Sequence, residues 1–239
     1  MSSLRLIKGS GGYDATQTTI TVPTAPLTAI TNTSLLLNFT NAGIYDATSK
    51  NDLETVDGVQ LSNAITPKWG STSIKFDGTG DWLLNQAPIP PTTFGSADFS
   101  IEMWIYATTS GTQRWLFDGR IATPADGAYP AIYISSGNVL VYYVSAAARI
   151  TGTTTISTGT WYFVQVIRTS GTTKMYLNGT QEGSNYTDST VYLNPGAARP
   201  IIGAATNLVQ PFTGYIQDLR VTNGYARPTT TPTAAFPTL

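Results

Sequence analysis

The sequence predicts an all-β fold, a two-layer antiparallel sandwich, and three observations carry this prediction. Short apolar and aromatic runs with a period of two recur from Ser34 onward, separated by glycine- and serine-rich turns. Segments longer than about ten residues lack the period of an amphipathic helix. The 239 residues are enough for one large all-β domain with a real core.

The first strand-like runs are Leu35–Phe39 and then Ser71–Leu84, in which a glycine-rich turn separates two strands. In the run Asp98–Ala107 apolar and polar residues alternate, and alternate residues of a strand lie on opposite faces. This alternation assigns two faces to the strand, with Phe99, Ile101, Met103 and Ile105 on one and Ser100, Glu102, Trp104 and Tyr106 on the other.

The central part of the chain predicts a further strand and two hairpins. The run "QRWLFDG" follows a Ser-Gly turn. The runs "YPAIYIS" and "VLVYYVS" flank the turn Ser136–Asn138, and "TWYFVQVIRT" and "TKMYLNGT" flank a Ser-Gly-Thr turn. Apolar alternation on both sides of such turns is typical of antiparallel hairpins.

The composition indicates a surface or extracellular protein and excludes several functions. Charged residues make up 11% of the chain, against about 25% in an average soluble domain. The net charge of −1 argues against nucleic acid as a partner. Because the chain has neither Cys nor His, disulfides, thiolate nucleophiles, Cys-ligated zinc and a Ser-His-Asp triad are excluded.

The termini differ from the central region. Residues 1–33 are rich in Gly, Thr and Pro and begin with "MSSLRLIKGSGGYDATQ", which lacks the apolar region of a secretion signal. We expect either an extended arm that pairs with a neighbouring subunit or another protein of the same assembly, or a disordered leader. Residues 228–239 form a Pro/Thr-rich C-terminal segment. No apolar run in the sequence is long enough to span a membrane.

Four motifs in the central region occur in the order of a known family. They are "SIKFDGTGDWL", "DFSIEMWIYA", "GTWYFVQVIRTSGTTKMYLNGT" and "FTGYIQDLRVTNGYAR". Together they resemble the signatures of the laminin G-like, concanavalin A-like lectin/glucanase jelly roll over residues 34–227. The resemblance implies two facing curved sheets, often a structural calcium ion, and often a ligand site on rim loops or the concave face.

The stretches on either side of the four motifs resemble a smaller group of proteins within this family. The stretches "PLTAITNTSLLLNFTNAGIYDAT" and "NGYARPTTTPTAAFPTL" resemble laminin G-like modules in structural proteins of marine tailed phages. This resemblance implies a virion surface location. It agrees with a surface composition in a chain that shows no secretion signal.

The last motif contains an irregular apolar rhythm. Ile216 is followed by an apolar residue three positions later, Leu219, and then two positions later by Val221. This spacing predicts a β-bulge that keeps all three side chains on the core. The bulge would turn Asp218 toward the sandwich edge and the loop Asn41–Asp52.

Asp218 has two interpretations. Asp46 matches an acidic position of the family pattern, so Asp46, Asp218 and carbonyl groups near Asn41 would supply oxygen ligands for Ca²⁺. Alternatively, the carboxylate of Asp218 accepts backbone N–H bonds without an ion. Asp77 and Asp81 of "FDGTGD" are interpreted as turn residues that cap backbone amides.

Glycosidase chemistry finds little support in the sequence. Retaining enzymes need two carboxylates about 5–5.5 Å apart, and active members of the family carry Glu-x-Asp-x-x-Glu on one strand. This chain has three Glu, none with a second carboxylate at that spacing. Asp98 and Glu102 share a face but lie about 13 Å apart along a strand. We therefore predict that the protein is not an enzyme.

A binding module fits better, because sugars are held by aromatic faces and by amide, carboxylate and backbone groups. Trp104 and Trp161 match core positions of the family. For the other aromatic residues core packing is the alternative interpretation. The candidate ligand residues are Trp82, Trp115, Asp126, Tyr129, Asn138 and Tyr186, with Tyr133, Tyr142, Tyr143 and Asn185 as further members.

The sequence thus predicts a non-enzymatic phage virion protein, a capsid decoration or a tail or fibre component, whose lectin-like domain contacts host-surface glycan. It would assemble as a homo-oligomer, with a trimer as the first expectation. The alternatives are a free bacterial carbohydrate-binding module and, less favoured, a glycoside hydrolase.

Overall fold

The computed structural model describes the backbone of residues 4–7 and 33–37 and, with side chains, residues 53–85, 92–120, 127–192 and 200–236. All regular elements in these ranges are β-strands. A helix long and apolar enough to cross a membrane is accordingly absent from this part of the chain. Asn41, Asp46 and Asp126 lie outside it.

The chain divides into two compact units, Met1–Gly43 and Ile44–Leu239. In the first unit, β1 (Leu4–Ile7) pairs with β2 (Thr33–Leu37) as an antiparallel ladder. The described residues of the second unit contain fourteen strands, which are β3 Leu53–Val56, β4 Gln60–Ser62, β5 Ser73–Asp77, β6 Trp82–Asn85, β7 Phe99–Ala107, β8 Arg114–Asp118, β9 Ala131–Ile134, β10 Leu140–Val144, β11 Ala147–Thr151, β12 Trp161–Thr169, β13 Thr172–Leu177, β14 Thr180–Thr187, β15 Ile201–Ile202 and β16 Thr213–Asn223.

These fourteen strands form two antiparallel sheets of seven strands each, which confirms the predicted two-layer jelly-roll sandwich. The first sheet has the order β11-β10-β9-β8-β15-β6-β3, and the second has the order β14-β13-β12-β7-β16-β5-β4. Both predicted hairpins, β9–β10 and β12–β13, are present. The strands β5 and β6, which follow each other along the chain, belong to different sheets.

The core lies between the sheets and is built from the inward side chains of both. The predicted alternation of β7 is confirmed, because Phe99, Ile101, Met103 and Ile105 all belong to the main apolar cluster. The first sheet contributes inward residues such as Ile132, Ile134 and Tyr142. Each sheet therefore also has an outer face, formed by the residues between these core positions.

The turn between β5 and β6 is held by aspartate side chains, as predicted. Asp77 Oδ1 accepts the backbone N–H of Thr79 at 2.7 Å. The fully buried Asp81 accepts N–H bonds from Gly58 at 2.7 Å and from Asp77 at 2.6 Å. These bonds satisfy backbone donors at the point where the chain passes from the second sheet to the first.

The irregular rhythm in β16 is a β-bulge, which confirms the prediction. Gln217 pairs with Trp104 and Arg220 with Glu102, so two residues of β16 oppose the single residue between Glu102 and Trp104. Ile216, Leu219 and Val221 all pack on the core. β16 lies between β7 and β5, and its pairing with β5 covers Thr213–Ile216, so Asp218 lies beyond that ladder.

Asp218 occupies the bulge in the left-handed backbone region, with φ of 52°. Its Oδ2 accepts the backbone N–H of Phe236 at 3.0 Å. Burial raises the pKa of this carboxyl above its usual 3.8, while the Phe236 N–H and the charge of Arg220 act in the opposite direction. The bulge therefore needs a residue that tolerates positive φ and offers an oxygen acceptor, but the negative charge itself is not favoured by burial.

We expect Asp218→Val to lower the free energy of unfolding by about 2 kcal/mol, because a β-branched residue is strained at positive φ and cannot accept the Phe236 bond. Asp218→Asn is the matched control, since asparagine adopts this conformation and keeps the acceptor, and it should change stability by less than about 0.5 kcal/mol. Urea unfolding followed by tryptophan fluorescence measures both. Equal losses in the two variants would contradict this account of the bulge.

Candidate functional site

An aromatic cluster on the outer face of the first sheet is the strongest candidate site in the described residues. Tyr133 lies between the core residues Ile132 and Ile134 on β9, so its side chain points away from the core. Trp115 of β8 pairs with Tyr133. Together with Tyr143 of β10 these side chains form a small apolar cluster separate from the main core.

The three rings are arranged at angles to one another. The centroids of Trp115 and Tyr133 are 4.7 Å apart with planes inclined at 44°. Tyr143 lies 6.2 Å from Trp115 and 6.4 Å from Tyr133. Trp115 is almost completely buried, whereas Tyr133 and Tyr143 are half-buried and keep part of their surface accessible. The two tyrosines thus form the accessible part of the cluster, and Trp115 supports them.

Arg120 lies against this cluster. Its guanidinium carbon is 4.3 Å from the Trp115 ring centroid and 5.4 Å from that of Tyr143. The buried Asp118 holds it through an ion pair of 2.7 Å between Nη2 and Oδ2 and a hydrogen bond of 2.9 Å from Nε to Oδ1. Cation–π contact and the fixed carboxylate together orient the guanidinium beside the rings.

The loop 203–211 forms one border of the cluster. The indole N–H of Trp115 donates to Gln210 Oε1 at 2.9 Å, and Thr206 N–H donates to Asp118 Oδ2 at 2.9 Å. Leu208 and Val209 on this loop are 49% and 45% exposed. Leu208 has φ of 62°, which is an unusual conformation for a bulky residue. Exposed apolar side chains and a strained backbone are typical of a binding loop.

The phenol of Tyr133 remains neutral at physiological pH. Burial raises its pKa above the ordinary value of 10.0, and the charge of Arg120 offsets part of this effect. Its hydroxyl therefore stays available as a hydrogen-bond donor and acceptor. The site thus combines accessible aromatic surface, a phenolic hydroxyl, a guanidinium and an amide within one outer face.

Most other candidate residues have roles within the fold. Asn138 lies in the β9–β10 turn with φ of 61°, and its Oδ1 accepts bonds from Gly111 N and Arg114 Nη2. Tyr186 packs on the core, and its hydroxyl contacts Thr190 Oγ1 at 3.2 Å. Tyr129 is buried, and Trp82 is half-buried on β6.

The structure also shows the environment of two further aromatic candidates, Tyr142 and Tyr143, and of the two tryptophans that were assigned to the core. Tyr142 is fully buried in the core, whereas Tyr143 belongs to the outer cluster. Trp104 is nearly buried beside Phe163, and Trp161 donates its indole N–H to Thr66 O at 3.0 Å. Asn185 is exposed on β14 and accepts a bond from Gln181.

Of the three residues proposed for the calcium site, Asp218 lies in the part of the chain that the structure describes. The alternative interpretation expected the Asp218 carboxylate to accept backbone N–H bonds. It accepts one from Phe236, which lies in the C-terminal segment rather than in the loop Asn41–Asp52. Residues 53–85, 92–120, 127–192 and 200–236 contain no group of three or more acidic side chains that could hold a metal ion. Asp46 and Asn41 lie outside these ranges, so calcium binding stays a prediction.

The sequence of residues 77–229 matches the laminin G-like family that is described as the concanavalin A-like lectin/glucanases superfamily. The chain belongs to this family. Domains of this laminin G-like family have a lectin-like fold and are commonly non-catalytic binding domains. A comparison with curated protein sequences finds no match.

Solved structures share the laminin G-like sandwich at low sequence identity. Domain 4 of AbnA, a GH43 extracellular arabinanase from Geobacillus stearothermophilus in complex with arabinotriose, has a TM-score of 0.54 at 17% identity, with 75% of this chain and 84% of that chain covered. The botulinum neurotoxin serotype G binding domain has a TM-score of 0.55 at 13% identity, with 81% and 46% covered. The chain thus spans under half of that toxin domain, and these likenesses concern the fold alone.

The binding domain of botulinum neurotoxin DC in complex with SialylT has a TM-score of 0.53 at 15% identity, covering 75% of this chain and 44% of that one. The structures therefore agree on architecture with the family assignment.

Proposed function

We propose that this laminin G-like protein is a non-enzymatic carbohydrate-binding component of a phage virion, a capsid decoration or a tail or fibre protein, that contacts host-surface glycan. The observation that carries the binding role is the outer aromatic cluster of Trp115, Tyr133 and Tyr143 beside Arg120. Accessible rings next to fixed hydrogen-bonding groups suit a neutral, polyhydroxylated ligand.

The cluster would hold a sugar through two kinds of contact. The accessible faces of Tyr133 and Tyr143 would stack against the C–H surface of a pyranose or furanose ring. The Tyr133 hydroxyl and the Arg120 guanidinium would donate hydrogen bonds to ring hydroxyls. Because Asp118 already fixes Arg120, little side-chain entropy is lost when the ligand binds.

The positions of the acidic residues support a binding role over hydrolysis. Glu102 is buried in an ion pair with Arg220 at 2.8 Å, and the buried Glu182 accepts backbone bonds from Thr153 and Thr154. Asp98 accepts the Ser170 N–H at 2.8 Å. These carboxylates thus serve the fold. Domain 4 of AbnA, which was solved with arabinotriose, supports sugar binding by a sandwich of this architecture.

The virion role is supported by the sequence. Low charge, the flanking stretches that resemble phage modules and the Gly-, Thr- and Pro-rich N-terminal region fit a protein that assembles at a virion surface through residues 1–33. We further propose a homo-oligomer, with a trimer as the first expectation, and a structural calcium ion held by Asp46, Asp218 and carbonyl groups near Asn41. Localisation of the chain in a particle by electron microscopy tests the virion role, and glycan binding without incorporation would favour the free bacterial module.

We expect Tyr133→Ala and Tyr143→Ala each to weaken glycan affinity by about tenfold, which corresponds to about 1.4 kcal/mol, since each removes one accessible ring. The ligand is first identified on a glycan array, and affinities are then measured by titration calorimetry. Tyr225→Ala is the matched control, because Tyr225 is 55% exposed outside the cluster. Unchanged binding in both cluster variants, or a loss in the control, would place the binding site elsewhere.

A further inference from the structure

The C-terminal segment 224–236, called the tail, crosses the outer face of the second sheet. Ser100 of β7 donates its hydroxyl to Tyr225 O at 3.3 Å and accepts the Arg227 N–H at 2.8 Å. On the next strand, β12, the Gln165 side chain donates to Pro228 O at 2.9 Å. The tail then passes the β13–β14 turn, where a Cβ on Gly179 would lie 3.1 Å from Thr231 Oγ1.

The tail then returns over the sheet and ends at an aromatic anchor. The Phe236 N–H donates to Asp218 Oδ2, and the Phe236 ring meets the Phe163 ring edge-on at 6.3 Å. The Arg220 guanidinium carbon lies 3.7 Å from the centroid of the Phe236 ring. Phe236 is thus held by residues of two strands, β12 and β16.

The surface beneath the tail is polar and buried. Glu102 is 2% exposed and receives bonds of 2.8 Å from both Arg220 Nε and Gln165 Nε2. A buried ion pair of this kind requires a cover that excludes water and completes its hydrogen bonds. The tail contacts both partners of Glu102, because the Pro228 carbonyl accepts a bond from Gln165 and the Phe236 ring lies against the Arg220 guanidinium.

The manner of attachment permits exchange between molecules. The first residue of the tail, Gly224, donates its backbone N–H to Asp98 O at 2.8 Å beside the β16–β7 ladder, and the hydrogen bonds described above join the rest of the tail to side chains of the sheet. Gly224, directly after β16, has φ of 80° and open space around its Cβ position, which suits a hinge. Proline and threonine in "RPTTTPTAAF" favour an extended chain that loses little entropy on docking.

We propose that the tail exchanges between copies of this chain, so that residues 224–236 of one copy dock on the outer face of the second sheet of another. A tail that rotates about Gly224 makes the same contacts with Ser100, Gln165 and Phe163 on a second copy. The intramolecular contacts of the tail show that this face is complementary to it. Exchange of an identical element is a low-cost route to an oligomer. This inference does not rest on the proposed glycan function.

The test uses the full chain and a fluorescent peptide of residues 224–239. In the Phe236→Ala chain the resident tail is weakened, so the labelled peptide should bind this variant at least about tenfold more tightly than the unaltered chain, whose own tail competes at high effective concentration. A peptide carrying the same substitution should not bind. Val191→Ala is the control, because this side chain is 51% exposed and lies outside the tail, so the variant should bind the peptide as the unaltered chain does.

Light scattering after size exclusion, over a wide range of concentrations, completes the test. Unaltered chain should form dimers or larger assemblies that Phe236→Ala disrupts while circular dichroism shows an intact fold. A monomer at every concentration, an oligomer insensitive to Phe236→Ala, or absence of peptide binding would each overturn the exchange. Glycan binding should be the same in both chains, so failure of one proposal does not affect the other.

Discussion

Replacing Asp188 with alanine is expected to lower the free energy of unfolding by about 4 kcal/mol, because it leaves a buried arginine without its counter-charge. Asp188 and Arg168 are 1% and 3% exposed, and Arg168 Nε lies 3.4 Å from Asp188 Oδ2. The guanidinium also donates to Ala97 O and to Asp188 O, both at 2.9 Å.

The carboxylate of Asp188 also organises neutral partners. Its Oδ2 accepts the hydroxyls of Thr173 at 2.5 Å and Tyr192 at 2.7 Å, and Oδ1 accepts the Thr190 N–H at 3.0 Å. Tyr142 and Tyr192 share a further bond of 2.6 Å. Burial raises the pKa of both phenols, so they stay neutral. Removal of the carboxylate would leave these buried groups unsatisfied as well.

Chemical unfolding of Asp188→Ala against Asp77→Ala measures this effect. Asp77 is an exposed turn residue that caps one backbone amide, so its loss should cost about 1 kcal/mol or less. A deficit in Asp188→Ala no larger than in the control would show that the network contributes little to stability. Retention of glycan binding by the folded fraction would separate this structural role from the site on the first sheet.

The layers of the fold were predictable from sequence because alternation is a local property. In β7 each second residue faces the core, and that period is visible without knowledge of any partner strand. The bulge was predictable for the same reason, since an inserted residue displaces Leu219 and Val221 relative to Ile216. These features depend on spacing within a single strand.

The order of the strands was not predictable in the same way. The turn after β5 looks like a hairpin connection, yet β6 joins the other sheet. The two-residue strand β15 lies between β6 and β8, and β16 lies inside the second sheet. These positions follow from packing between segments distant in sequence, for which a single sequence carries no local signal.

The candidate site was predictable only in part. Trp115 was identified as an aromatic residue with two interpretations, and the structure shows it supporting Tyr133 and Tyr143 from neighbouring strands. Gln210, which holds the indole, is 95 residues away in sequence. Arg120 follows "FDG" without any motif that marks it as a cation beside aromatic rings. The site forms because residues that are distant in sequence come together in the fold, and a single sequence does not show this.

Replacing Glu182 with glutamine is expected to lower the free energy of unfolding by about 3 kcal/mol at neutral pH, because the hydrogen bonds from Thr153 and Thr154 to the charged carboxylate are weakened. Glu182 on β14 is 3% exposed. Its Oε2 accepts the N–H groups of Thr153 at 2.7 Å and Thr154 at 3.0 Å, and Oε1 accepts the Thr154 hydroxyl at 2.5 Å. The side chain therefore ties the segment after β11 to the edge of the second sheet.

The pH dependence identifies the charge as the source of this stability. Burial by itself would raise the pKa of Glu182, but the bonds from Thr154 and Thr153 outweigh it and lower the pKa below 4.5. A carboxyl whose pKa falls on folding adds stability above its unfolded pKa and loses it as pH drops through the folded pKa. The difference between Glu182→Gln and the unaltered chain should therefore be full at pH 7 and shrink below about pH 4.5. Glu54→Gln, at an exposed position of β3, is the control. A difference that persisted undiminished in acid would show that shape, rather than charge, makes glutamate necessary here.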